Sequence, residues 1–209
     1  MRRLFGFMTG ILLTAALSIG CGSTGNDDAL VLQFIRFDNT GLTQEDSVGE
    51  TSADVDIVQD VCAVSDSGVP TYEPYTNTRI NAVFHNYEAS DITLNKIVID
   101  AGPNSGIPVV THYFTAIVEG GRCLNAQRQQ CASDQDCGGA SCAHADTTVS
   151  GILLLDFNDK AHMLPGTFSV KISFFGTDPN RSFEVRADYV VHFNDFDNCT
   201  SSGSGAATT

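Results

Sequence analysis

The sequence predicts an all-β protein, a two-sheet antiparallel sandwich. Three observations predict it. Apolar residues recur at every second position in one segment after another. Clusters of Gly, Pro, Asn, Asp and Ser separate these segments at intervals typical of strands. A helical period of 3.6 is nearly absent after residue 28.

The elements follow in order. Leu30–Phe37 predicts the first strand, ended by the turn residues Asp38-Asn39-Thr40-Gly41. An acidic, Ser/Thr-rich loop reaches Ser52. Ala53–Val64 predicts the next strand, with Val55, Ile57 and Val58 ahead of Cys62. A Pro/Tyr/Asn loop carries Pro70, Pro74 and Asn77. In Arg79–Tyr87, Ile80, Ala82 and Phe84 share a face. In Ile92–Asp100, Ile92, Leu94 and either Ile97 or Val98 point inward, with a bulge near Lys96. Gly102-Pro103-Asn104-Ser105-Gly106 predicts a turn, and Val109–Val118 another strand. Thr147–Phe157 carries the run Ile152–Leu155 of a buried strand. Phe168, Val170, Ile172 and Phe174 form one inward face, and Phe183, Val185, Ala187, Tyr189 and Val191 the next. The loop Gly176–Arg181 between them has hairpin length and turn composition.

Seven or eight strands ending in a hairpin resemble an immunoglobulin-like or fibronectin-III-like domain across about residues 30–199. The resemblance is architectural. It implies a sandwich used as a scaffold or binding module; a jelly roll is the alternative.

Residues 120–146 break the strand pattern, with four cysteines and almost no large apolar side chains. The stretch Cys131-Ala132-Ser133-Asp134-Gln135-Asp136-Cys137…Cys142 resembles short C-x-x-D-x-D-C-x-x-x-x-C modules of secreted proteins. These include lipoproteins of myxobacteria and their relatives, and the start of Dickkopf-type modules. A segment without apolar side chains needs cross-links to hold its order. We expect an insertion between two sandwich strands, with two local disulfides among Cys123, Cys131, Cys137 and Cys142, their pairing left open. Cys62 then pairs with Cys199. Zinc is disfavoured, because no C-x-x-C pair exists.

The N-terminus has the parts of an export signal: Arg2 and Arg3, the apolar Leu4–Ile19, the small Gly20, then Cys21. It resembles a bacterial lipoprotein leader. That resemblance implies cleavage after residue 20, acylation (palmitate) of Cys21, and a tether over residues 21–28. The apolar run falls short of the ~20 residues a spanning helix needs. Cysteine parity agrees, since seven cysteines less Cys21 leave an even set. Gly22 after the cysteine, by enterobacterial sorting rules, implies the outer membrane. The expected domains are thus the signal peptide 1–20, the tether 21–28, the sandwich 29–199 with its insertion 120–146, and a small-residue tail 200–209.

The formal charge of −14 argues against nucleic-acid partners and against electrostatic binding to anionic lipid. Losing the leader removes two positive charges and no negative ones. The five histidines are scattered, with no H-E-x-x-H, no G-x-S-x-G and no phosphate-cradling glycine loop. No catalytic residue or cofactor is expected. Asp195 and Asp197 are weak candidates for Ca²⁺, and Asp134 and Asp136 form a second acidic pair. The expected partners are the bilayer, through acylated Cys21, and an unidentified protein or glycan.

Overall fold

The computed structural model describes residues 31–197 and residue 199. The expected signal peptide, tether, acylated Cys21 and small-residue tail lie outside the described residues. The fold is all-β. Its larger strands are β1 (Leu32–Phe37), β6 (Thr78–Asn86), β7 (Ile92–Asp100), β8 (Val110–Val118), β11 (Asp146–Leu155), β12 (Gly166–Thr177) and β13 (Ser182–Asn194). Shorter ones are β2 (Ser47–Val48), β3 (Ser52–Asp56), β4 (Val61–Val64), β5 (Pro70–Tyr72), β9 (Arg122–Cys123) and β10 (Cys142–Ala143).

A three-stranded sheet runs β1-β6-β11, and a six-stranded sheet runs β2-β3-β13-β12-β7-β8. The two share one apolar core, built from the alternating side chains of both. On β12, Val170, Ile172 and Phe174 are buried; on β13, every second residue from Phe183 to Phe193 is. Aromatic rings join the sheets. Phe84 meets Phe174 edge-on at 5.1 Å, and Phe37 meets Tyr189 at 4.7 Å. Such pairs add to the stabilisation from area burial.

The pairing is not wholly antiparallel. β3 lies parallel to β13, with Ala53 opposite Val191 and Val55 opposite Phe193. This placement buries Ala53 and Val55 completely. The Tyr189 hydroxyl pins the approach, lying 2.8 Å from both the Gly49 and the Ser52 carbonyl oxygens.

The single strand expected over Ala53–Val64 is divided. β3 ends at Asp56, whose carboxylate accepts the Val58 N–H at 3.2 Å and turns the chain. β4 then pairs with β5 in a separate ribbon. Val61, Val64 and Tyr72 of that ribbon are exposed, so no apolar face draws it into the core.

In β7, Ile97 is the inward residue, and the register shifts between Leu94 and Lys96. In β11 the register shifts twice. Gly151, at φ +69°, occupies the first irregularity in a conformation that costs glycine little. The second lets the consecutive Leu154 and Leu155 both be buried. Past β11, Asp156 and Asp159 cap each other's backbone N–H groups at 2.8 Å and start the one-turn helix α1 (Phe157–Lys160).

The insertion leaves the six-stranded sheet after β8 and enters the three-stranded sheet at β11. β9 pairs with β10, a 3-10 turn spans Asp134–Cys137, and Cys123, Cys131 and Cys137 form a small buried cluster. It seats on the end of β6. His144 Nδ1 lies 2.8 Å from the Asn86 carbonyl oxygen, the Gly121 N–H donates to Glu88 at 2.8 Å, and Arg122 meets Asp91 at 2.5 Å.

Candidate functional site

The opposite end of β6 begins at Thr78, about 27 Å away at strand rise. There the loop before β2, the bend after β3, the segment 73–78, α1 and the chain leaving β13 converge. The result is an acidic end with a buried polar centre.

The centre is Asp46. Its Oδ2 lies 2.7 Å from Lys160 Nζ, and each side chain is 1% exposed. The Thr78 hydroxyl donates to the same oxygen. Asp46 Oδ1 accepts the Asp56 N–H at 2.9 Å. The capped α1 turn delivers Lys160 inward, and Tyr75 places its ring 5.0 Å from Nζ. Burial, then the charges of Asp56, Asp46 and Glu73, push the Tyr75 hydroxyl up to about 12. Burying such a pair is costly, and removing one partner alone costs about 3–5 kcal/mol because the other charge is left uncompensated.

Outside this centre lie more carboxylates. Glu73 Oε1 accepts the Asp60 N–H at 2.9 Å. Desolvation, then the charges of Asp195 and Glu73, raises the Asp60 carboxyl above its ordinary value. Oxygens of Glu73 and Asp197 come within 4.8 Å of each other. Asp197 also accepts the Cys199 N–H at 2.9 Å. A cleft of about 140 Å³ is lined by Glu45, Asp46, Ser47, Asp54, Asp56 and Phe196.

Asp195 and Asp197, singled out from the sequence, thus share a neighbourhood with Asp60 and Glu73, which were not. Asp46, Thr78 and Lys160 were also missed. Asp46 sits in a loop whose composition reads as solvated, and nothing local ties it to a lysine 114 residues away. The other acidic pair closes the insertion. Asp134 accepts the Cys142 N–H at 2.6 Å, and Asp136 accepts those of Ala132 and Ser133 at 2.9 Å. The Ser133 and Ala132 backbone N–H groups hold the Asp136 carboxyl below its ordinary value.

The six described cysteines form three disulfides: Cys62–Cys199, Cys123–Cys137 and Cys131–Cys142. Cys123, Cys131 and Cys137 bring their sulfurs together, but each is oxidised and offers no thiolate to a metal. Cys62–Cys199 ties the β4–β5 ribbon to the segment after β13.

The histidines are dispersed. His85 pairs with Asp146 at 2.7 Å, His162 with the Asn158 carbonyl at 2.7 Å, and His192 with Thr167 at 2.8 Å. His112 Nε2 lies 2.9 Å from Asp159 Oδ2, off the line a hydrogen bond needs. Tyr72 and Tyr113 are exposed on different sheets, while Tyr75 is drawn into the acidic end over Lys160.

No protein-family model matches the chain, and no curated protein matches it either. Among the described residues, no helix is long and apolar enough to cross a membrane.

Proposed function

We propose that this chain is a non-catalytic, lipid-anchored protein of the cell envelope, held in the outer membrane through acylated Cys21. In this reading its two packed sheets form an immunoglobulin-like sandwich that serves as a scaffold and protein-interaction module. The leader-like sequence supports the anchor, as does the pairing of all six other cysteines, which leaves Cys21 as the odd sulfur.

The observation that carries the interaction role is on β8. This strand is the edge of the six-stranded sheet, and no further described strand pairs with it. Tyr113 and Ile117 stand on its exposed face, Tyr113 80% exposed, and Val109 is exposed just ahead of it. An unpaired edge with apolar side chains favours strand addition or a hydrophobic contact with a partner. A photo-crosslinker at residue 111 in the native host should trap a defined partner. Tyr113→Asp with Ile117→Asp should abolish the adduct without moving Tm. An adduct that survives both substitutions would retire this role. Labelled palmitate should enter the wild-type chain and not Cys21→Ser; an unlabelled wild type would retire the anchor.

A second reading is a Ca²⁺- or glycan-binding lipoprotein that uses loops at one end of the sandwich. The gathering of Asp60, Glu73, Asp195 and Asp197 favours the cation. Calcium should then raise Tm and chelator lower it; an unchanged Tm removes this reading.

A further inference from the structure

We infer that Asp46 and Lys160 form an intramolecular isopeptide bond, making this pair a self-modification site. The reacting groups are already in contact: Nζ sits 2.7 Å from Oδ2, and both side chains are 1% exposed. Each oxygen of Asp46 has a different environment. Oδ1 receives the Asp56 backbone N–H at 2.9 Å. Oδ2 receives Lys160 and the Thr78 hydroxyl. An amine held against a carboxyl carbon, with one oxygen stabilised and the other supplied with protons, is arranged for condensation.

The step balances without an outside reagent. A proton passes from the Lys160 ammonium to Asp46 Oδ2, giving an amine and a carboxylic acid. The Nζ lone pair attacks Cγ. Negative charge develops on Oδ1, where the Asp56 N–H meets it as a fixed donor. Thr78 accepts a proton from nitrogen and returns one to Oδ2. The Cγ–Oδ2 bond breaks, one water leaves, and an Nζ–Cγ amide remains. Contact replaces a bimolecular encounter, which supplies the proximity advantage of an intramolecular reaction. Burial under the Tyr75 ring and the α1 turn keeps bulk water from reversing it.

The product would be a covalent brace between positions 114 residues apart. It would tie the loop before β2 to α1 and close a ring that runs from β2 through β8, the insertion and β11. Tension or proteolysis at the surface could not then separate those two ends of the chain. This inference stands apart from the proposed partner and anchor, and its outcome does not depend on theirs.

The test is a peptide map of the folded, full chain purified from its native host, reduced and alkylated before digestion. A branched peptide joining the Asp46 and Lys160 fragments, lighter than their sum by one water, is expected in most molecules. Asp46→Asn should give the same branched peptide with loss of ammonia instead. Lys160→Arg should lack it, and Thr78→Val should slow its appearance several-fold after a synthesis pulse. Linear Asp46 and Lys160 peptides in quantitative yield from natively folded wild type would overturn the inference. So would a branch at any other residue pair. The wild-type map decides the matter even if a variant fails to fold.

Discussion

Replacing both Cys62 and Cys199 by Ala should lower global stability more than removing either disulfide of the insertion. The Cys62–Cys199 bond spans 137 residues, whereas the other two span 14 and 11. In the chain-entropy model the long cross-link restricts the unfolded chain by about 5 kcal/mol, and each short one by about 3 kcal/mol. The elements that Cys62 and Cys199 join are peripheral in the folded state. The β4–β5 ribbon is exposed and packs little against the core. Native packing should therefore survive the double substitution, and the loss should come from the freed unfolded chain. For a chain of this size about 5 kcal/mol corresponds to a fall in Tm of about 10–20 °C. Guanidinium unfolding of the parent, Cys62→Ala/Cys199→Ala and Cys131→Ala/Cys142→Ala, read by near-UV circular dichroism, checks the ranking. A long-link variant within about 1 kcal/mol of the parent would refute the argument, as would an insertion variant that loses more.

Other expectations follow from single sites. Phe174→Ala removes a fully buried ring that touches Phe34, Phe37 and Phe84 across the core, and should cost about 3–5 kcal/mol in urea unfolding. A loss under about 1 kcal/mol would mean the sheets are not packed as described. Carboxyl titration by NMR should place Asp60 above Asp136. The lowered Asp136 contributes stability above the ordinary carboxylate value, lost as pH falls through its folded value. The raised Asp60 contributes below the ordinary value, and that part is lost as pH rises through its folded value. A reversed order would contradict both environments. In Gly121→Ala the new Cβ would lie 2.2 Å from the Cys131 carbonyl oxygen and 2.7 Å from the His144 ring. Non-reduced peptide maps should then show mispaired insertion cysteines; native pairing with unchanged amide exchange around Cys131 would contradict the close approach.

The alternating segments were legible because one buried face fixes strand register: Phe168 to Phe174 and Phe183 to Val191 read directly as inward rows. β3 and β4 were not separable from sequence. The apolar residues from Val55 to Val64 continue without a Gly or Pro, and only the Asp56 carboxylate, bonded to the chain two residues on, makes the break. The parallel contact of β3 with β13 was equally hidden, since pairing between distant segments leaves no local pattern. At the acidic end, Asp195 and Asp197 were visible as turn acids. Their neighbours Asp60 and Glu73 come from β-ribbon flanks far earlier in the chain. The Asp46–Lys160 contact depends on three-dimensional closure, and neither residue has an apolar setting in sequence that would mark it as buried.

The parallel seam between β3 and β13 joins Ser52 to Val190 and Asp56 to Asn194. A polypeptide emerging amino end first must carry the β2–β3 hairpin without its edge until β13, the last described strand, has been made. Contacts this distant along the chain assemble slowly. The seam therefore closes last, once the residues from Val190 to Asn194 exist to receive β3.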